Sequence, residues 1–358
     1  MKLPHHARVN VAIISSIFNK TTATYKFYWF LSVLEIFGER QQGAIPIRKI
    51  LSQMICNAWY PIHYFKLSFG FADMLSHHSK EIQLLGNIPY NIDKNDLCQW
   101  LVNNQDRRVL RLIDHFSKQV PYRFLSPWLP GQTDSNVVKL SETFTNNCLY
   151  RINKQNKTIE INPLWADYLL TNRGILEDFC YWNLALYLQA KNPNTPDIPN
   201  KLIKATERGP LGRQRKFWKI VFHEYHDISC IYTGRQLISP EFAMEHFLPH
   251  SFVSHDLLWN LVPADPSINS SKSNKIPDLH FFIQKFTHLQ KKAVSCVYQK
   301  KPEHKMLEDY LILGSSIPDL LHLADEDFAT RYYNVLSPLC QIAKNMGFES
   351  WHYNIETI

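Results

Sequence analysis

No two of the seven cysteines stand in a Cys-x-x-Cys pair. Cys56, Cys98, Cys148, Cys180, Cys230, Cys296 and Cys340 are scattered and odd in number. That spacing excludes a cysteine-built zinc knuckle and argues against a disulfide framework, so reduced thiols and a cytoplasmic setting are expected. Long apolar runs are missing as well. The one near the amino terminus covers about ten residues, follows two histidines, Pro4 and Arg8, and leads to no small-residue cleavage site, which is not the pattern of a secretory signal. The apolar stretch 27–37 is too short to cross a bilayer and contains Glu35, so a buried helix is expected and no membrane partner. There is no internal repeat. Neither sign of charge dominates: 39 Lys and Arg against 32 Asp and Glu leave +7, which permits an anionic partner without requiring one.

What is present is ample material for a core. The chain is 45% hydrophobic and 13% aromatic, and its 358 residues call for two or three domains. Residues 1–130 read as helical. Thr21 and Thr22 offer N-cap oxygens before the segment "YKFYWFLSVLEIF", and Gly38 is placed to close that helix in the left-handed conformation. Ile47, Ile50, Leu51, Met54 and Ile55 form the stripe of a second helix, which Pro61 should end. A third, "NDLCQWLVNNQDRRVLRLIDHF", puts Arg107, Arg108 and Arg111 on one side, either as a solvated face or as a phosphate-contacting stripe. Residues 131–201 hold a hairpin, "CLYRI" and "KTIEI" around "NKQN", then a helix-like segment and a linker with three prolines in 191–201. Residues 202–280 carry the chemistry, and 281–358 read as helices.

The informative stretch is 245–277, "EHFLPHSFVSHDLLWNLVPADPSINSSKSNKIP". Glu245 and His246 follow the apolar "EFAM", which suits a strand end. Pro249 opens a loop, "WNLVP" reads as a second short strand, and Asp265 with Pro266 begins a helix that carries Asn269 and, on the same face, Lys272. A carboxylate can hold a divalent cation, and a neutral imidazole beside it can take a proton from water near pH 7. Strand, loop, strand and helix therefore bring an acid, a base and two amides to one place. His223 and His226 lie three apart and do not form a zinc HExxH motif; they read as surface residues, as do His250 and His255. Just upstream, 208–219 interleaves Arg208, Arg213, Arg215, Lys216 and Lys219 with Phe217 and Trp218, a pattern open to nucleic-acid backbone tracking or to a solvated face.

This arrangement resembles the ββα-metal core of the HNH, or His-Me finger, endonucleases. The acid-histidine pair corresponds to Glu245-His246, the central asparagine to Asn260 and the helical residue to Asn269. The segment is most similar to the HNH domain of RNA-guided CRISPR effectors: "CIYTGRQL" (230–237) stands ahead of the pair, "PHSF" follows it, and "NSSKS" matches their Asn-x-x-Lys-Ser run. The resemblance covers residues 230–277 and implies a stand-alone bacterial HNH protein. The fold class expected is α+β and mainly helical, with the ββα-metal core embedded between helical regions.

The resemblance also implies a mechanism. Mg²⁺, replaceable by Mn²⁺, binds Glu245 and Asn269; His246 is the base; Asn260 holds the loop and orients His246. Lys272 either donates to the scissile phosphate or is a solvated helix residue, and the products carry 5′-phosphate and 3′-hydroxyl ends. Glu245 is one methylene longer than the commoner Asp, and the zinc cysteines of many HNH proteins are missing, so no structural zinc is expected and Cys230 reads as a core residue. The partner implied is nucleic acid, with DNA expected, in an antiviral defence or restriction setting. Residues 1–130 are expected to bind nucleic acid or a regulatory protein. A non-catalytic nucleic-acid-binding scaffold and a delivered toxin nuclease are the alternatives.

Overall fold

The computed structural model describes residues 2–40, 43–203 and 209–352, without the side chains of Arg40 and Asn269. The chain forms two compact units. The first runs to Pro193 and includes Ile198–Lys204; the second takes Asn194–Asp197 and the chain from Ala205 onward. Helices dominate both.

In the first unit, α1 (Val11–Ser15) precedes α2 (Tyr25–Arg40), which packs on α3 (Ile47–Trp59). Helix α2 departs from expectation at both ends. Thr24 opens it, its backbone N–H and hydroxyl both donating to Asp73 Oδ2 at 2.7 Å. Gly38 does not close it. A Cβ there would lie 2.2 Å from the Arg173 guanidinium, so the glycine makes room for a side chain and the helix continues. Glu35, the acid inside the apolar run, accepts from Gln53 (2.8 Å), Asn57 (2.9 Å) and Lys94 (3.2 Å), the partners a carboxylate in a core requires. Pro61 does not end the second helix, because a π-helical turn, Tyr60–Tyr64, carries the chain on from α3.

Next come α4 (Met74–Gly86), α5 (Lys94–Asn103) and α6 (Arg107–Asp114). The last two were expected as one helix. Asp106 accepts from the Arg108 backbone N–H at 2.8 Å and so starts α6 separately. Its carboxylate also holds the Arg108 guanidinium at 2.7 Å, while Arg107 and Arg111 are exposed. Cys56 of α3 and Cys98 of α5 lie side by side with a Cα separation of 5.7 Å, a span that a disulfide can bridge. Helices α7 (Val120–Phe124) and α8 (Asp134–Glu142) lead to a sheet ordered β1-β3-β2, from β1 (Ile45–Pro46), β2 (Tyr150–Asn153) and β3 (Thr158–Ile161). Buried Trp29 donates to Tyr150 Oη (3.1 Å), which donates to the Pro121 carbonyl (2.6 Å), tying α2, β2 and α7 together. The expected long helix splits at Asn172 into α9 (Pro163–Thr171) and α10 (Arg173–Lys191).

The second unit begins with α11 (Gly212–Glu224). The turn "CIYTGRQL" follows, with Gly234 at φ +73° and Cys230 accepting and donating across it. Strand β4 (Ala243–His246) pairs antiparallel with β5 (Leu261–Ala264), Glu245 opposite Val262 and His246 opposite Leu261. Between the strands lies α12 (His250–Val253), ended by Ser254 in the left-handed region; after them comes α13 (Ile268–Lys272). Strand β6 (Ile276–Pro277) and β7 (Ser350–Trp351) pair in parallel around α14 (Leu279–Lys300), α15 (Ile317–His322) and α16 (Asp325–Asn345). Helix α14 packs on both α11 and α16.

One buried amide fastens the strand pair to these helices. Gln290 of α14 has no exposure; its Nε2 donates to the carbonyls of Leu258 (3.1 Å) and Leu261 (2.9 Å), and its Oε1 accepts from Tyr310 Oη (2.7 Å). Replacing Gln290 with Leu takes the side-chain partner from the Leu261 carbonyl and the acceptor from the Tyr310 hydroxyl, while the Leu258 carbonyl keeps the Leu261 N–H. Each buried polar group left without a partner costs roughly 1–3 kcal/mol, so urea unfolding of the Gln290→Leu chain should show a clear loss of stability in the second unit. An unchanged midpoint would mean that the amide is dispensable.

Candidate active site

Strand β4 positions the acid and the histidine. Successive strand residues project to opposite faces, and Glu245 and His246 are nevertheless both nearly buried, at 8% and 6% exposure, because α13 covers one side and the loop holding α12 covers the other. Both line a cleft of about 330 Å³, together with His250, Asp256 and Asn274.

Lys272 holds α13 against β4. Its side chain is fully buried, and its Nζ donates to Glu245 Oε1 at 2.8 Å and to the His246 carbonyl at 2.6 Å. Burial lowers its pKa, against the opposing pull of the Glu245 carboxylate. This corrects both readings of Lys272: the ammonium is neither on a solvated helix face nor presented to the cleft as a phosphate donor, because two oxygens of β4 occupy it.

Asn260 is also fully buried. Its Oδ1 accepts from the Leu248 N–H (2.8 Å) and its Nδ2 donates to the Leu248 carbonyl (3.0 Å), clamping the chain two residues past His246. Arg235 of the preceding turn reaches Asp265 at 3.4 Å, and Asp265 caps the turn into α13 by accepting from Ser267 N (2.9 Å). Asn269 lies in α13, but its side chain is outside the described residues.

Two residues of the site are not evident in the sequence. Asp256 Oδ1 lies 2.8 Å from His246 Nε2 and 3.8 Å from His250 Nε2. The possible ligand atoms of His246, His250 and Asp256 all fall within 4.8 Å of one another, so this trio could hold a metal ion. Two imidazoles and a carboxylate form a borderline donor set, different from the oxygen-rich sets that hard cations prefer. His250 reads as a surface residue because nothing in "PHSFVSHD" reveals that α12 and the left-handed Ser254 fold it back toward His246.

The basic stretch divides. Arg208 lies outside the described residues. Arg213, Lys216 and Lys219 are exposed on α11. Arg215 is only partly exposed and already engaged: its Nη1 donates to the Phe242 carbonyl at 2.9 Å, and the guanidinium lies 5.3 Å from the centre of the Phe242 ring. Phe217 and Trp218 have no exposure and belong to the core, which removes them as base-stacking groups.

The Lys272–Glu245 contact is a buried ion pair, and breaking one side of such a pair typically costs about 3–5 kcal/mol. Lys272→Met should therefore destabilise the second unit strongly, and the double variant Lys272→Met/Glu245→Gln should recover most of the loss, since no charge is then left unpaired. Denaturation of the four proteins of this cycle checks it; a Lys272→Met cost under about 1 kcal/mol would mark the pair as solvent-screened.

Comparison with curated proteins gives no match, and comparison with solved structures gives none either. The family model of HNH endonucleases matches residues 230–278, the span from the "CIYTGRQL" turn through β4, β5 and α13 to the start of α14. That strand, loop, strand and helix, with Glu245 and His246 at the end of its first strand, is an HNH endonuclease domain.

Proposed function

We propose that the HNH domain hydrolyses phosphodiester bonds of nucleic acid, with DNA as the substrate and His246 as the general base. The observation that carries this reading is the 2.8 Å contact between His246 Nε2 and Asp256 Oδ1 in a cleft that Glu245 also lines. An ionised Asp256 accepts the Nε2–H, which fixes the tautomer and leaves the lone pair on Nδ1 to take a proton from water. The same carboxylate stabilises the imidazolium that results. Asp256 is itself held, its backbone carbonyl accepting from Gln214 Nε2 at 2.9 Å. Asn260 fixes the loop beyond His246, so the ring is oriented from both sides. Lys272 sets the position of the Glu245 carboxylate.

In the cleft the carboxylate oxygens of Glu245 and Asp256 are the donors that suit a hard divalent cation; Lys272 takes Oε1 of Glu245 and leaves Oε2, and the imidazoles of His246 and His250 are borderline donors that suit such a cation less. Glu245 and Asn269 would hold Mg²⁺, with Mn²⁺ able to replace it. Such a cation, when bound, supplies positive charge to the phosphate oxygens and the departing 3′ oxygen. Arg213, Lys216 and Lys219, exposed on α11, would track the nucleic-acid backbone. A defence or restriction setting follows by analogy with other HNH nucleases. In that setting the first unit would hold a regulatory partner or the target.

His246→Ala should lower cleavage by on the order of 10²–10⁴-fold, the usual contribution of a general base. Asp256→Asn should lower kcat by roughly 10–100-fold, as loss of an orienting carboxylate commonly does, and leave KM unchanged. EDTA should silence the wild type. Plasmid cleavage at wild-type rate by the alanine variant would overturn His246 as the base, cleavage in EDTA would overturn the metal-assisted reading, and no cleavage by the wild type with Mg²⁺ or Mn²⁺ would leave a non-catalytic nucleic-acid-binding scaffold. For the basic face, each phosphate contact removed by Arg213→Ala, Lys216→Ala or Lys219→Ala should reduce the slope of log affinity against log salt by about 0.9 for duplex DNA. Unchanged slopes would exclude α11 from the binding surface.

A further inference from the structure

The first unit contains a cavity of about 400 Å³ where the start of α2 and the residues just before α4 meet the segment from 115 to 123. Lys20, Lys26, Lys118 and Arg123 line it, and Tyr25 and Phe116 supply aromatic wall. No Asp or Glu lines it among the described residues, and none of the four cations makes an ion pair there. Elsewhere in the same unit the pattern is different. Arg48 pairs with Asp114, Lys94 with Glu35, Arg108 with Asp106, Arg151 with Glu160 and Arg173 with Glu177.

The acid beside Tyr25, Asp73, does not neutralise the cavity by direct contact. It is buried, Oδ2 is committed to Thr24 and Oδ1 accepts from Leu75 N. A recess lined by one sign of charge, with low-dielectric walls, concentrates ions of the other sign.

We propose that this cavity binds a nucleoside phosphate. The four cations select the phosphate, since charge-assisted contacts to phosphate oxygens are the strong ones. The aromatic wall argues for a base as well. Tyr25 and Phe116 pack with ring centres 5.4 Å apart, and the Tyr25 hydroxyl is held by the Met74 N–H at 2.7 Å, so the wall is braced. Phe71, next in the chain to the lining residue Ala72, is fully exposed, and an exposed aromatic ring is a face on which a base can stack. The volume lies within the roughly 300–1,000 Å³ of sites for small organic ligands and exceeds the need of inorganic phosphate. Lys26, whose Nζ has only 3.4 Å contacts with the carbonyls of Ile17 and Lys20, would gain a charged partner. A nucleoside phosphate reaches such a site as a free nucleotide or as the 5′-phosphate end of a strand.

The test is calorimetric titration of the full chain in EDTA, so that the nuclease reading is not engaged. The probes are AMP, ATP, inorganic phosphate, and one oligonucleotide with and without a 5′-phosphate. Saturable binding of AMP or ATP, or of the oligonucleotide only when phosphorylated, supports the site, and which of the two binds identifies the source. Lys118→Glu/Arg123→Glu changes two exposed side chains and should weaken that binding by about tenfold or more, as loss of charge-assisted hydrogen bonds implies. Arg107→Glu, an exposed cation on α6 outside the cavity, should not. Absence of saturable binding, binding of inorganic phosphate alone, or affinities that the double variant leaves unchanged would overturn the proposal.

Discussion

Lys272 carries an ammonium into a position with no solvent exposure, and two oxygens of β4 receive it there: Glu245 Oε1 and the carbonyl of His246. Stripping an ammonium of water is expensive, and the cost is met only while both acceptors stay in place. Helix α13 is therefore fixed to β4 at the two residues that the proposed chemistry uses. The length of Glu245 fits this contact: its carboxylate reaches the lysine while still lining the cleft. What looks in the sequence like a reagent is, in the folded chain, the fastening between strand and helix.

The rest of the HNH domain is braced in the same manner, by buried polar side chains that bond to backbone. Asn260 holds Leu248, and Gln290 holds Leu258 and Leu261 while Tyr310 holds Gln290. Asp309 accepts from the Leu258 N–H at 2.9 Å. The cysteine ligands that would anchor a zinc are missing from the sequence; a core of aromatic and aliphatic residues from α11, α14 and α16 supports the strands, with Phe247 against Phe286 at 4.5 Å and Tyr232 against Phe282 and Trp351. A site mounted on such elements loses little of its geometry to thermal motion, which positioning a base against water requires.

Much of the site was legible in the sequence because its signals are local. The strand-loop-strand-helix order came from Pro249, the apolar "WNLVP" and the Asp265-Pro266 start, and the placement of Glu245, His246 and Asn260 followed. What was not legible depends on the chain folding back on itself. Asp256 and His250 reach His246 only through α12 and its left-handed end, and the fate of Lys272 depends on which side of a five-residue helix is covered. Arg215 and Trp218 show the same limit, since a basic-aromatic run reads alike whether its aromatics face solvent or core. In the first unit, Gly38 carries a helix-stop signal that Arg173, 135 positions away in sequence, overrides. The proximity of Cys56 and Cys98 likewise needed the packing of α3 against α5 before it could be seen.

The central claim is that this HNH domain cuts phosphodiester bonds by activating water, with the 3′ oxygen as leaving group. End-group analysis of the products tests it most directly. After incubation of the purified chain with duplex DNA and Mg²⁺, the account predicts fragments with 5′-phosphate and 3′-hydroxyl ends that a ligase can rejoin without prior treatment. Fragments with 3′-phosphate ends, or DNA left intact in both Mg²⁺ and Mn²⁺, would contradict it.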